Sequence, residues 1–282
     1  RRVKEGHPWI FSNELQDIPI LEQGSLVTIF DSNKQFIGKG YYNPHSLISV
    51  RLLTRKQSEE INIDFFEKRI RTATEYRQKI YPNDDSYRLI YSESDLLPGL
   101  IVDKFSDHLV IQILTAGMER WRKEICQLLI NLYNPKCIYE RSDSIVRSQE
   151  HLESVSKTIF GDLNKNMVIQ QDGIQFYVDI QEGQKTGFFF DHRDNRISLQ
   201  NYVKGKNVLD LFCGTGSWSI YAAKYGASKV IGIDSSKSAL ELAVKNSNLN
   251  SFGTRCSYIQ GDAFDKTSEL VRKGEHFEVV IC

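Results

Sequence analysis

Apolar residues arrive first in short runs broken by turn formers. Residues 25–30, 36–42 and 46–52 read as strands, with Asp31-Ser-Asn-Lys34 and Asn43-Pro-His45 as the turns between them. A polar break at 55–60 leads into a segment, 64–80, where Phe66, Ile70, Ala73, Tyr76 and Ile80 recur at three- and four-residue steps, the spacing of an amphipathic helix. Strands at 87–91, 100–104 and 108–114 and a helix over 118–132, burying Ile125, Leu128, Leu129 and Leu132, give an α+β pattern. After an alternating strand at 174–180 and a helix ending near Tyr202, strand and helix alternate from Asn207 to a last strand at 277–282, the doubly wound parallel pattern. The expected class is α/β, with domains at 1–57, 58–172 and 173–282.

Composition narrows this little. With 282 residues, 40% of them apolar, the chain can build separate cores. No apolar run is long enough to span a bilayer, and the polar start is no secretory signal, so a cytoplasmic protein away from membranes is expected. The five cysteines form no Cys-x-x-Cys, which predicts neither a disulfide framework nor a metal site. The 36 basic and 36 acidic side chains cancel, but residues 1–57 hold eight basic against five acidic ones, while 83–180 hold ten against fifteen. Any nucleic-acid footprint is therefore expected near the N-terminal end.

The most informative stretch is Val208-Leu-Asp-Leu-Phe-Cys-Gly-Thr-Gly-Ser217, a strand that ends on a carboxylate and enters a glycine turn. A P-loop would need Lys-Ser/Thr after its glycines, and Gly216 is followed by Ser217 and Trp218. A dinucleotide fingerprint fits poorly, since bulky Trp218 crowds the position for close helix packing and Asp210 would repel a pyrophosphate. A cationic nucleoside suits the site better. S-adenosylmethionine carries a sulfonium and an ammonium that a strand-end Asp attracts. The next strand ends in Asp234, placed for both ribose hydroxyls, and the third in Asp262-Ala263-Phe264, placed for the adenine amino group. Strand-end Asp residues also cap helices, an alternative that weighs most for Asp262.

Arg2-Val-Lys-Glu-Gly-His-Pro-Trp-Ile-Phe11, Gly38-Lys-Gly-Tyr-Tyr-Asn-Pro44, Glu93-Ser-Asp-Leu-Leu-Pro-Gly-Leu-Ile-Val-Asp103, Gly183-Gln-Lys-Thr-Gly-Phe-Phe-Phe-Asp-His-Arg-Asp-Asn-Arg196 and Asp210-Leu-Phe-Cys-Gly-Thr-Gly216 occur in that order. Together they resemble the bacterial large-subunit ribosomal RNA cytosine-C5 methyltransferases, across the whole chain. The resemblance implies an N-terminal PUA-like small β-barrel at 1–57 that binds RNA, a central α/β domain, and a Rossmann-like S-adenosylmethionine domain. It implies cofactor contacts from Lys185, Thr186, Phe189, Asp191 and Arg193 at the methionine end. Asp210, Phe212, Gly214, Thr215 and Gly216 in the turn, Asp234 and Ser235 after the second strand, and Asp262 and Ala263 after the third complete the implied set. Arg2, Lys4 and His7 are the implied RNA contacts, with Trp9 and Phe11 expected in the core; ribosomal RNA is the implied partner, and a homodimer is allowed.

Two departures from the family pattern matter. His192 stands where the family usually shows Gln. The family's Asp-Pro-Pro loop and attacking cysteine lie past the residue that is last here, so the sheet is expected to be incomplete after its fourth strand, the nucleophile to lie beyond Cys282, and this stretch alone to be inactive. Cytosine C5 accepts a methyl group only after a thiolate adds at C6. Cys282 is expected to be buried as a small apolar residue, and Cys213 to be a packing residue. Other readings are a methyltransferase of a purine nitrogen in RNA, a non-catalytic PUA module, and a nicotinamide oxidoreductase.

Overall fold

In the computed structural model, which describes residues 2–16, 18–164 and 167–282, the chain forms two compact units, 1–164 with 180–182 and 165–179 with 183–282. The first unit opens with an antiparallel sheet of β1 (Trp9–Ile10), β2 (Ser25–Phe30), β3 (Phe36–Tyr42) and β4 (Val50–Thr54), in the order β1-β4-β3-β2. Val3, Ile10, Tyr42, Val50 and Leu52 form its core. The strand expected at 46–52 starts only at Val50. Residues 46–49 turn instead, with Ser49 Oγ donating to the Ser46 carbonyl and Asn43 N to that of Ser49.

Helix α1 (Ile63–Ile80) is capped by Asn62, whose side chain accepts from Phe65 N at 3.0 Å. It buries Phe65, Phe66, Ile70 and Ala73 in the same core as Leu89 and Ile90. Tyr76 and Ile80, expected on that stripe, are exposed: the apolar period outruns the core against which the helix packs.

The second sheet runs β5 (Tyr87–Tyr91), β6 (Leu100–Phe105), β7 (His108–Ile113), β8 (Cys137–Ser142), β9 (Val155–Gly161), in that spatial order. Only β7 and β8 are parallel. Their crossover holds α2 (Ala116–Glu119) and α3 (Arg122–Tyr133), so the single helix expected over 118–132 is two, broken at Arg120 and Trp121. Helix α4 (Ile145–Gln149) follows β8. Strands β1, β8 and β9 escape the periodicity. In β8 every residue is buried, including Glu140, Arg141 and Ser142, so no apolar alternation marks it.

Buried charge ties the two sheets of this unit together. Arg51 lies 3.1 Å from both Glu93 and Glu150, while Asn43, Ser46 and the Ala116 amide also donate to the Glu150 carboxylate. With four donors on a buried carboxylate, the desolvation cost of the pair is largely offset. Trp9, expected in the core, is half-buried and donates Nε1 to Glu93 at 2.8 Å. Phe11 is likewise half-buried, with the Arg2 guanidinium 4.5 Å above its ring.

The second unit begins with a hairpin, β10 (Met167–Gln171) and β11 (Ile174–Val178), whose two-residue turn Asp172–Gly173 has positive φ at both positions. The strand expected at 174–180 stops at Val178, whose partner in the ladder is Met167, the first residue of β10. Helix α5 (Arg193–Ser198) precedes the alternating part: β12 (Asn207–Leu211), α6 (Ser217–Lys224), β13 (Lys229–Asp234), α7 (Lys237–Leu249), β14 (Cys256–Gln260), α8 (Ala263–Arg272), β15 (Val279–Ile281). The sheet is wholly parallel in the order β14-β13-β12-β15, which is the doubly wound arrangement expected. Cys282, expected to be buried, is exposed one residue past the β12–β15 ladder, which among the described residues runs to Ile281. No helix among the described residues is long and apolar enough to cross a membrane.

Candidate functional site

Parallel strands deliver their carboxyl ends to one rim, and β12, flanked by β13 and β15, is where the strand order reverses. That switch point is where such sheets hold ligands. The turn after β12 is built for a close approach. Phe212 has φ +59° and projects an exposed ring, and a Cβ on Gly214 would meet nothing within 4 Å. Gly216, with φ +79°, sits so close to α7 and β14 that a Cβ would lie 2.6 Å from Tyr258 Oη. The Thr215 carbonyl accepts from buried Asn246 Nδ2 at 3.1 Å, and Tyr258 Oη is 2.6 Å from Ser247 Oγ.

The three strand-end acids hold different positions. Asp210 is fully buried, accepts from Ser219 Oγ at 2.6 Å, and has its pKa pushed up to about 7 by burial, with the Asp234 charge adding to the effect. Its carboxyl group is buried at the end of β12 and oriented by Ser219 of α6. Asp234 is half-buried and grips the turn: Oδ2 accepts from Gly214 N at 2.8 Å and Oδ1 from Ser236 N at 2.9 Å. Each oxygen keeps a second lone pair, the pair of acceptors that the two hydroxyls of a cis-diol require. Asp262 is exposed, and its Oδ1 caps α8 by accepting from Phe264 N and Asp265 N at 2.9 and 3.1 Å. Ala263 is buried beneath it and Ser235 is exposed.

The 183–196 block contributes a second cluster. Lys185 Nζ lies 2.7 Å from Asp191 Oδ2 and 4.5 Å from the Phe189 ring centroid. Burial would raise the Asp191 pKa, but the hydrogen bond and charge of Lys185 outweigh it and hold the carboxyl below its ordinary range. His192 lies between the rings of Phe189 and Trp218, at centroid distances of 5.3 and 6.0 Å. The His192–Trp218 contact sets this segment against the first turn of α6, which the glycine turn opens. Thr186 and Arg193 face elsewhere. Thr186 is fully buried, and Arg193 Nε donates to Asp172 Oδ1 at 3.1 Å. Phe188 and Phe190 are buried in contact with each other, as core residues.

Several side chains of this site carry no sequence signature. Phe264 presents 77% of its surface at the start of α8, beside Asp262, and its position two residues after a strand-end acid was the one available clue. Ser219, Asn246 and Tyr258 show themselves only through their partners. A groove of about 960 Å³ between the hairpin and α7, lined by Tyr177, Asp179, Ser238, Glu241, Leu242 and Lys245, holds none of the expected residues. In the first unit Arg2 pairs with Glu14 at 2.8 Å, Lys4 with Asp31 at 2.6 Å, and His7 Nδ1 accepts from Trp9 N at 3.1 Å.

Residues 1–55 match the family model of a PUA-like domain, and residues 203–282 that of a methyltransferase domain. The chain is 40% identical over 281 residues to ribosomal RNA large subunit methyltransferase I of Tolumonas auensis, spanning 98% of this chain and 71% of that one. For the same enzyme of Aeromonas hydrophila the identity is 39% over 284 residues, with 98% and 71% coverage. Among solved structures, a methyltransferase in complex with SAH superposes with a TM-score of 0.86 at 22% identity, covering 100% of this chain and 72% of that one. A SAM-dependent methyltransferase from Streptococcus mutans follows at 0.85 and 22%, covering 100% and 73%. At that identity the structures establish the fold: a PUA-like domain and a methyltransferase domain in one α/β chain.

Proposed function

The chain belongs to the ribosomal RNA large subunit methyltransferase I family, and on that premise we propose that it moves the methyl group of S-adenosylmethionine to C5 of a cytosine in large-subunit ribosomal RNA, in the cytoplasm. The cofactor supplies an electrophilic methyl group on a sulfonium. Asp234 carries the reading. Its carboxylate is oriented by two backbone amides of successive loops and keeps lone pairs for both ribose hydroxyls. Asp262 and Ala263 take the adenine edge, and the exposed Phe264 ring offers a face for stacking the base. Asp210, Phe212, Gly214, Thr215 and Gly216 border the methionine end, with Ser235 beside the ribose and Lys185, Phe189 and Asp191 closing over it. Thr186 and Arg193 support that segment from inside.

Calorimetry on the full-length protein tests this. Asp234→Ala should weaken S-adenosylmethionine by ~1.5 to 3 kcal/mol, the range for hydrogen bonds to a charged acceptor, without unfolding the protein. Unchanged affinity would remove Asp234 from the site.

Methylation at C5 needs a thiolate to add at C6 and a base to take the C5 proton afterwards. Cys213 is the cysteine nearest the turn, and it is unsuited to that role. It is buried against Gly232, and burial, with the charges of Asp210 and Asp234, pushes its thiol far above the ordinary range. Burial also raises Cys126, Cys137 and Cys256 to about 11 each. Cys213→Ala is accordingly expected to keep methyl transfer and to cost under roughly 1.5 kcal/mol of stability, as a small volume change in a core does. A variant that is folded but loses transfer outright would reassign Cys213 as the nucleophile.

For RNA, Arg2, Lys4 and His7 of the PUA-like domain are the side chains that this reading assigns. Arg2, Glu14 and Lys4 are exposed, so exchanging carboxylate for phosphate partners at the two cations costs little. Reversing both charges should lower RNA affinity regardless of sequence and flatten its salt dependence by roughly 0.7 to 0.9 in log–log slope for each phosphate left without a cation. An unaltered slope in filter binding would move the RNA surface elsewhere.

A further inference from the structure

Arg196 is fully buried, yet Nε and Nη1 of its guanidinium have no hydrogen-bond partner among the described residues. Only Nη2 is engaged, with Gln171 Oε1 at 2.8 Å and the Phe189 carbonyl at 3.1 Å. The rest of the group lies 5.1 Å from the Phe188 ring centroid and 5.3 Å from that of Tyr221. Burial pulls its pKa below the ordinary arginine value. As a stabilising element this is a poor arrangement: an apolar side chain of similar volume would fill the space without desolvating a cation. The group does fix one thing, the backbone at Phe189.

The partners of Arg196 lie in one place. Gln171 and Asp172 are the last residue of β10 and the first of the hairpin turn. Tyr221 of α6 donates to Asp172 Oδ2 at 2.5 Å and lies 3.3 Å from Gln171 Oε1, and Arg193 is bound to the same Asp172 carboxylate. That carboxyl is held below its ordinary range: burial opposes, while the hydrogen bonds from Arg193 and Tyr221 prevail. One hairpin corner thus grips both the helix that starts at the glycine turn and the segment bearing Lys185, Phe189 and Asp191.

We propose that the Gln171–Asp172 corner is a clamp that sets the cofactor-facing segment 185–191, with Arg196 as its positioning residue and the Phe189 carbonyl as the point it holds. With Phe189 O tethered to Arg196, the buried rings of Phe188 and Phe190 face inward, and Phe189 and the Lys185–Asp191 pair face the turn. Without the tether the pair is free to swing, and binding the cofactor must then order it, which weakens binding without altering any residue that touches the ligand. The proposal rests on the reading of this segment as the methionine end of the cofactor site.

The test compares Arg196→Met, Arg196→Lys and Tyr221→Phe with wild type in the full-length protein. It measures S-adenosylhomocysteine affinity by calorimetry, melting temperature, and KM for cofactor and for RNA. Arg196→Met should melt no lower than wild type, since a buried cation is gone, yet bind S-adenosylhomocysteine at least tenfold more weakly. Its KM for cofactor should rise and its KM for RNA should not. Arg196→Lys, able to reach one carbonyl, should recover part of the loss. Tyr221→Phe keeps the ring and removes only the hydroxyl, so it serves where Arg196→Met fails to fold, and should weaken binding at least threefold. Wild-type affinity in a folded Arg196→Met, or in Tyr221→Phe if that is the only folded variant, overturns the clamp while leaving the cofactor site standing. Wild-type protein that does not bind S-adenosylhomocysteine at all overturns the cofactor reading, and the clamp with it.

Discussion

Asp210→Asn should make the cofactor-free protein more stable at pH 8 and leave it unchanged at pH 4. Burial raises the carboxyl from 3.8 to about 7, so the folded state holds a proton that the unfolded chain releases over that interval. The stabilising contribution of the protonated form is complete below pH 3.8 and is lost as pH rises through 7; above that, the fold carries a buried carboxylate. A gap of roughly three pKa units corresponds to about 4 kcal/mol at pH 8. Asparagine keeps an oxygen for Ser219 Oγ and has no charge to desolvate, so its stability should lack this pH dependence. The functional consequence has the opposite sign. The ammonium of the cofactor favours the ionised acid, so wild-type affinity should climb between about pH 5 and 7, whereas the variant should bind more weakly at pH 8 and show no such climb. Melting curves at pH 4, 6 and 8 with calorimetry at the same values check both halves. A variant no more stable than wild type at pH 8 would show that Asp210 is not buried as a neutral acid.

Gly117→Ala is expected to cost roughly 3 kcal/mol or more, beyond the usual penalty for overpacking. Gly117 lies in α2 directly under the Tyr41 ring, and a Cβ there would be 1.8 Å from the ring carbon Cγ. The ring cannot step aside, because its hydroxyl is bound to the Pro98 carbonyl and lies 3.0 Å from Thr115 Oγ1. The added methyl therefore displaces either α2 or β3, and with β3 the Asn43 and Ser46 hydrogen bonds to Glu150. The smaller entropy of the unfolded alanine chain, ~0.4 to 1 kcal/mol, does not offset this. Urea denaturation of the single variant and of Gly117→Ala with Tyr41→Ala measures the effect. Most of the loss should vanish in the pair relative to Tyr41→Ala alone, and a single variant within 1 kcal/mol of wild type would contradict the close approach.

The local pattern of side chains determined the helix over Ile63–Ile80, strands β2 and β3 and the parallel β12–β15 alternation, because each rests on a period of 2 or 3.6 residues that neighbours in sequence display. It also determined that Asp210, Asp234 and Asp262 end successive strands around a glycine turn, and hence the chemistry that the site suits. Only the tertiary structure decided what each acid does there. Asp210 is neutral-prone at the end of β12, Asp234 is held by two amides, and Asp262 spends one oxygen on a cap. The strand β8 was illegible for a related reason. Its Glu140 is buried because Arg122 and Ser142 meet it there, and no rule of spacing announces a charge that will be paired in the core. Arg51 and Glu150 are 99 residues apart in the chain, and Arg196 and Gln171 are 25 apart. Periodicity reports which face of an element turns inward, whereas the burial of a charge, its protonation and its partner depend on what the fold brings to within 3 Å of it, and that is set by packing between segments distant in sequence.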